Sequence, residues 1–138
     1  MDPEIWGPHA WQFLHSITLS YPDNPTLEDK NNHAQFFNSL KDILPCQKCQ
    51  DHFTQNLQEN PVENYLDNKE LLFNWLIDIH NKVNVSNGKK EYSYDEVIKL
   101  YENMYKSNDK KSINNWLYIA FIILIILLCI YYFQKYFF

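Results

Sequence analysis

Residues 68–84 read NKELLFNWLIDIHNKVN. Leu71, Leu72, Trp75, Leu76, Ile79 and Val83 recur at three- and four-residue intervals, which is the repeat of one apolar helix face. A helix is therefore expected from about Asn68 to Val83, with Gly88 as the breaker behind it. The same stretch ends in something a plain core helix does not need. His80 and Asn84 are four residues apart and share a face, just before the basic turn Gly88-Lys89-Lys90.

Working outward, the rest of the chain up to residue 105 repeats the helical pattern. Residues 4–20 carry Ile5, Trp6, Phe13, Leu14 and Ile17 at near-helical spacing, and Tyr21-Pro22-Asp23-Asn24-Pro25 forbids continuation. Within that helix Trp11 and His15 are again four apart, an aromatic plate beside a hydrogen-bonding ring. Thr26 caps a second helix, with Asp29 three residues on echoing a capping box, and Phe36, Phe37, Leu40, Ile43 and Leu44 follow. A third helix is expected to begin at Pro45-Cys46, with Pro45 in the first turn, and to end near Glu59 before Pro61. A short fifth covers Tyr94 to Tyr105. The fold expected is all-α: a four-helix bundle plus a short fifth helix, the architecture in which cofactors sit between facing helices.

Composition agrees with that class. The 138 residues are 46% apolar and 17% aromatic with only 2 Gly, enough to bury a core and too few glycines for a turn-rich β protein. Net charge is -5 and every basic residue is lysine, which argues against a nucleic-acid-binding surface built on arginine forks. There is no GxGxxG, no P-loop and no internal repeat. From Trp116 to Phe133 the chain reads WLYIAFIILIILLCIYYF without a charge, aromatic at both ends, so a C-terminal transmembrane helix is expected. Lys106, Lys110 and Lys111 precede it and only Lys135 follows, which places the preceding domain on the cytosolic side. Met1 to Trp11 lacks the basic-then-apolar pattern of a signal sequence. Cys129 is read as a lipid-facing or packing residue.

Before that tail the only cysteines are Cys46 and Cys49, in Leu44-Pro45-Cys46-Gln47-Lys48-Cys49. A CxxC pair serves as a redox disulfide, as half of a metal site, or as a staple. Zinc needs two more ligands at short spacing, and His9, His15, His33, His52 and His80 form no such pair, so no metal is expected. A staple closing two residues removes little unfolded-state entropy. At a helix N-terminus the partial positive charge stabilises a thiolate, which favours the redox use. Trp11 with His15, and His80 with Asn84, are each more simply read as packing. Together with the lysine turn they outline a pocket with aromatic walls, amides and cations, suited to a planar heterocycle carrying a diphosphate.

Four motifs in order carry a resemblance: Trp6-Gly7-x-x-x-Trp11-x-x-x-His15, Tyr21-Pro22-x-x-Pro25-Thr26, Pro45-Cys46-x-x-Cys49, and Trp75 followed by His80-Asn81-x-Val83-Asn84 and Gly88-Lys89. From Trp6 to Tyr94 the chain is similar to the Erv/ALR family of FAD-linked sulfhydryl oxidases, and resembles the minimal membrane-anchored members of large DNA viruses. The resemblance implies FAD, contacted by Gly7, Trp11, His15, Cys49, His80, Asn81, Val83, Asn84 and Lys89. Catalysis would fall to Cys46, attacked by incoming thiols, and Cys49, next to the flavin. Electrons would pass through FAD to oxygen, yielding hydrogen peroxide, with a thiol-containing, thioredoxin-like protein as substrate. It also implies a homodimer through the first two helices, and a membrane of viral or infected-host origin. The domains then read 1–105 FAD-binding oxidase, 106–112 linker, 113–134 transmembrane anchor and 135–138 short tail. The chain departs from the family at Pro8, where many members carry arginine, at Leu44, where an aromatic is usual, and in lacking a cysteine near Tyr94. Pro8 motivates the alternative, a non-catalytic membrane-anchored assembly or adaptor protein.

Overall fold

The structure is a computed structural model that describes residues 1–137, the side chains of 107–115, 129 and 137 excepted. The expectation for Cys129 thus lies outside the described residues. Among the described residues five α-helices follow one another: α1 Pro3–Leu19, α2 Leu27–Ile43, α3 Gln47–Glu59, α4 Lys69–Ser86 and α5 Tyr94–Phe137, with a 3₁₀ turn at Val62–Tyr65. There is no strand among the described residues. The chain divides into two compact units, Met1–Tyr94 and Asp95–Phe138.

Capping chemistry sets the helix starts. Asp2 accepts the Glu4 N–H at 2.9 Å, and Pro3 takes the first helical position, where no donor is required. Thr26 and Asp29 make the expected capping box, the Thr26 hydroxyl accepting from the Asp29 N–H at 3.1 Å and the Asp29 carboxylate from the Thr26 N–H at 2.8 Å. Asn68 accepts from the Leu71 N–H at 2.9 Å and opens α4. At the other end of α4, Gly88 adopts φ 68°, the Gly88 N–H reaches the Val85 carbonyl and the Lys89 N–H the Asn84 carbonyl at 2.8 Å. These two bonds make a Schellman motif, and the left-handed residue at its hinge is why glycine stands there.

In the first unit α1 packs on α4, α2 on α3, and α3 on α4. Phe37, Leu72, Trp75, Leu76 and Ile79 are almost wholly buried at the centre, with Leu14, Leu40, Phe53 and Leu57 around them. Burial of each such side chain contributes about 1.5–3 kcal/mol, so this cluster outweighs the exposed ion pairs Lys30–Asp67 and Lys69–Asp23. Trp75 donates its indole N–H to the Asn60 carbonyl at 3.0 Å, and the Tyr21 hydroxyl donates to the Leu66 carbonyl at 2.9 Å. Both bonds fasten the connection between α3 and α4.

Three details differ from the sequence expectation. In α1, Ile5 and Phe13 are 73% and 61% exposed; the buried face is Gly7, Leu14, His15 and Thr18, because only that stripe turns toward α4. Pro45 precedes the cap of α3 and is not in its first turn, since Cys46 itself has extended backbone and serves as the N-cap. The fifth helix does not stop at Tyr105: one helix of 44 residues runs from Tyr94 through the apolar segment. No proline or glycine interrupts residues 106–112, so the segment read as a linker is helical.

Candidate functional site

The first cluster lies between α1 and α4. Trp11 and His80 stack with ring centroids 3.9 Å apart and planes 7° from parallel. His15, 1% exposed, places Nε2 3.2 Å from His80 Nδ1, and the edge of Phe73 closes its other side at 5.6 Å. The spacing of Trp11 and His15 on α1 brings both to the facing helix, and His80 is the α4 residue that meets them. Burial holds the His15 imidazole down at about 3, with His80 adding to the effect. Burial and then the Lys89 ammonium hold His80 at about 4. Both rings are therefore neutral at pH 7, and the contact holds one N–H···N hydrogen bond, one ring donating and the other accepting.

Asn84 is buried on the same helix and Val83 half-buried. Gly7 is buried on α1. Asn81 turns elsewhere: its side chain pairs with the backbone of Tyr92, Nδ2 donating to the carbonyl at 2.8 Å and Oδ1 accepting the N–H at 3.0 Å. Tyr94 adds a second tie to α4, its hydroxyl donating to the Asp78 carboxylate at 2.9 Å.

The second cluster is the turn between α2 and α3. Cys46 caps α3, its Sγ accepting the Cys49 N–H at 3.3 Å, and both cysteines are free thiols. The hydrogen bond from the Cys49 side chain, then that from the Cys49 N–H, pulls the Cys46 thiol below its ordinary value. Burial, then the hydrogen bond to Cys46, pushes Cys49 up to about 11. One proton is thus shared unequally, and the first thiolate forms on the capping residue, where the helix dipole also favours it. Gln50 braces this turn, its amide donating to the Leu44 carbonyl at 2.8 Å and to the Asp42 carbonyl at 3.3 Å. That tie joins the end of α2 to the start of α3 and holds the sulfur-bearing turn.

The residues quoted from the sequence thus fall into two groups, with Trp11, His15 and His80 in one and Cys46 and Cys49 in the other. Sequence reasoning missed Phe73, Gln50 and Asp78. Phe73 is hidden in a run of apolar residues, and its only mark was a position off the core stripe. Gln50 had a better signal, a long amide one turn into a helix that follows a proline break. Among the described residues no group of three or more His, Cys, Asp or Glu side chains is set to hold a metal ion.

The donor set suits a flavin dinucleotide. A stacked indole and imidazole offer aromatic faces, two neutral imidazoles supply a donor and acceptors, and Lys89 is close enough to depress His80. Comparison with known proteins points the same way. Residues 8–106 match the Erv1 / Alr family. The probable FAD-linked sulfhydryl oxidase R368 of Acanthamoeba polyphaga mimivirus is 43% identical over 120 residues, 86% of this chain and 83% of that protein. An FAD-linked sulfhydryl oxidase of African swine fever virus is 33% identical over 97 residues, 70% of this chain and 80% of that protein. Among solved structures, the FAD binding domain of Erv1 from Saccharomyces cerevisiae superposes with a TM-score of 0.64 at 35% identity, covering 67% of this chain and 87% of that one.

Proposed function

The chain belongs to the Erv1 / Alr family, and we propose that within it Cys46 and Cys49 are the redox pair, working beside a flavin held by the Trp11–His15–His80 cluster. It is an FAD-dependent thiol oxidase. Gly7, Val83, Asn84 and Lys89 complete the cofactor contacts, and Asn81 holds the segment that follows Lys89 through the backbone of Tyr92. The observation that carries the assignment of roles is the unequal burial of the two thiols across one helix cap, the leading influence at Cys49 and a minor one at Cys46.

With the pair oxidised, a substrate thiolate attacks the Cys46 sulfur, the Cys46–Cys49 bond breaks, and Cys49 leaves as a thiolate. A second substrate thiolate attacks the substrate sulfur of the mixed disulfide and expels Cys46. The substrate thereby becomes a disulfide, and the enzyme retains two electrons as a dithiol. Leaving-group acidity alone would favour attack at Cys49 with expulsion of Cys46. Access favours the other direction: both thiols are half-buried, but burial leads the shift at Cys49 and is a minor influence at Cys46, so an incoming protein thiolate reaches Cys46 more readily. A flavin held by Trp11, His15 and His80 would supply the two-electron acceptor through which the dithiol returns to the Cys46–Cys49 disulfide, with oxygen as the final acceptor and hydrogen peroxide as product. The protein's own contribution is to hold Cys49 inward, to keep both histidines uncharged, and to brace the sulfur-bearing turn through Gln50.

The thiol-containing substrate is a protein of thioredoxin-like type, served directly by Cys46. Exposed Ile5 and Phe13 on α1, with Leu27 and Ile43 on α2, leave apolar surface that supports pairing with a second copy through these helices. The oxidase domain extends to about residue 105, in keeping with a family match that ends at residue 106. Within α5, Trp116–Tyr136 is long and apolar enough to cross a membrane: 21 residues at mean hydropathy 2.6, about 30 Å of helix. We assign it as a single-pass anchor in a viral or infected-host membrane, with the domain on the cytosolic side. The purified full chain in detergent should be yellow and consume oxygen with a dithiol. A folded, colourless protein that takes up no FAD would overturn the reading in favour of an assembly or adaptor protein.

A further inference from the structure

The segment after α4 is tied to that helix at both ends. At its start the Schellman motif fixes Gly88 and Lys89, the Lys89 N–H bonding to the Asn84 carbonyl at 2.8 Å. At its end Asn81 grips Tyr92 through both the carbonyl and the N–H, at 2.8 and 3.0 Å. A single amide side chain thus reproduces the paired hydrogen bonds of a sheet ladder, across eleven residues of sequence. Between the ties lie Lys89, Lys90 and Glu91, all exposed. Lys90 Nζ lies 5.2 Å over the Tyr92 ring, the same residue that Asn81 holds. Asn81 also directly follows His80, so one turn of α4 presents an imidazole to Trp11 and an amide to the strap.

An exposed strap of this kind, tied only at Gly88, would leave its lysines to sample many positions. The second tie removes that freedom before any ligand arrives, which is the physical meaning of preorganisation. We propose that Asn81 is a positioning residue: its clamp on Tyr92 presets the strap carrying Lys89 and Lys90 as an arm for the phosphates of the dinucleotide. The inference rests on the FAD reading above, and departs from it in giving Asn81 a backbone partner as its working contact. That the Lys89 charge is felt at His80 places the arm at the histidine end of the cluster.

The test is FAD titration of the flavin-stripped full chain at low and at high salt, for wild type, Asn81→Ala, Lys89→Gln and the double variant. Wild type should bind FAD and lose affinity as salt rises. Asn81→Ala should bind about tenfold more weakly at low salt, the equivalent of roughly one lost ordering term, with a flatter salt dependence. Lys89→Gln should behave alike, and the double variant should be no worse than the weaker single. Tyr92→Pro removes the strap's N–H together with the ring beneath Lys90 and should move affinity in the same direction, with an unchanged helical circular dichroism spectrum. Unchanged FAD affinity in Asn81→Ala, or losses that add in full and persist at high salt, would overturn the clamp and make Asn81 dispensable or a direct contact. Wild type that binds no FAD under any salt condition would instead overturn the cofactor reading itself.

Discussion

Cys46 with Cys49 and His15 with His80 are both pairs of like groups within bonding reach, yet they move from their ordinary acidity in different patterns. The thiols split, one below its usual value and the other up to about 11. The imidazoles move together, to about 3 and about 4. The difference is one of setting. Cys46 is a helix cap with a backbone N–H and a thiol pointed at it, so a negative charge there has donors waiting. Its partner sits one turn inside the helix, where burial disfavours charge. Both histidines lie between packed helices, so each loses solvation, and each cation would face another positive group. A local backbone motif creates asymmetry, whereas burial between two helices pushes both members the same way.

The largest test of this contrast is Cys49→Ser, which should abolish oxygen consumption with a dithiol, while the Cys46 thiolate still forms a mixed disulfide when it is offered the oxidised substrate, attacking that disulfide and releasing a substrate thiol. Normal turnover in that variant would remove the inward role assigned to Cys49. Next in size is alkylation of the reduced chain at neutral pH, followed residue by residue by mass spectrometry. Cys46 should react on the order of a hundredfold faster than Cys49, whose thiolate becomes abundant only near pH 11. Equal rates would erase the asymmetry.

The histidine pair makes an acid-side prediction. Because the folded pKa values lie below the unfolded value of 6.5, the unfolded chain takes up protons first as pH falls. Stability from these groups is complete above about pH 6.5 and is lost progressively toward pH 4 and 3. The loss should be on the order of 2 kcal/mol, allowing for the partial exposure of His80. Urea unfolding across that range should show it in wild type, and a shallower slope in His80→Phe, which retains a ring against Trp11. An equal slope in both would mean that other groups set the acid response. Smallest is Trp11→Ala, which removes one plate of the stack and part of the burial of His80 but leaves the thiol pair untouched. FAD affinity should fall about tenfold while the alkylation contrast at Cys46 and Cys49 stays as in wild type.

Much of the bundle was legible because its signals are local. The apolar repeat of α4, the Thr26–Asp29 box, the Pro61 stop and Gly88 all act within a few residues of where they stand. What misled is equally specific. Ile5 and Phe13 have core-like spacing, but spacing identifies a stripe without saying which stripe meets a neighbour. Pro45 looked like a first-turn residue because nothing in the sequence says that the Cys46 sulfur would act as the cap. The fifth helix runs on past Tyr105 because the polar and charged residues 106–112 contain no proline or glycine to stop it. In the candidate site, motif order picked out Trp11, His15 and His80, which the structure brings together, and the two cysteines; the Gln50 brace left only a long amide past a proline break, and the Asn81–Tyr92 clamp left no mark because its partner is backbone.

By itself, then, the sequence determined the helices, their caps and stops, the two lone cysteines before the tail and a segment apolar enough for a bilayer, since each depends on neighbours along the chain. Tertiary structure alone decided that His15 and His80 meet at 3.2 Å, that both are neutral, and that the lysine strap is held from α4. The physical reason is that burial and hydrogen bonding between helices depend on which faces meet, and that is settled only when the whole core packs.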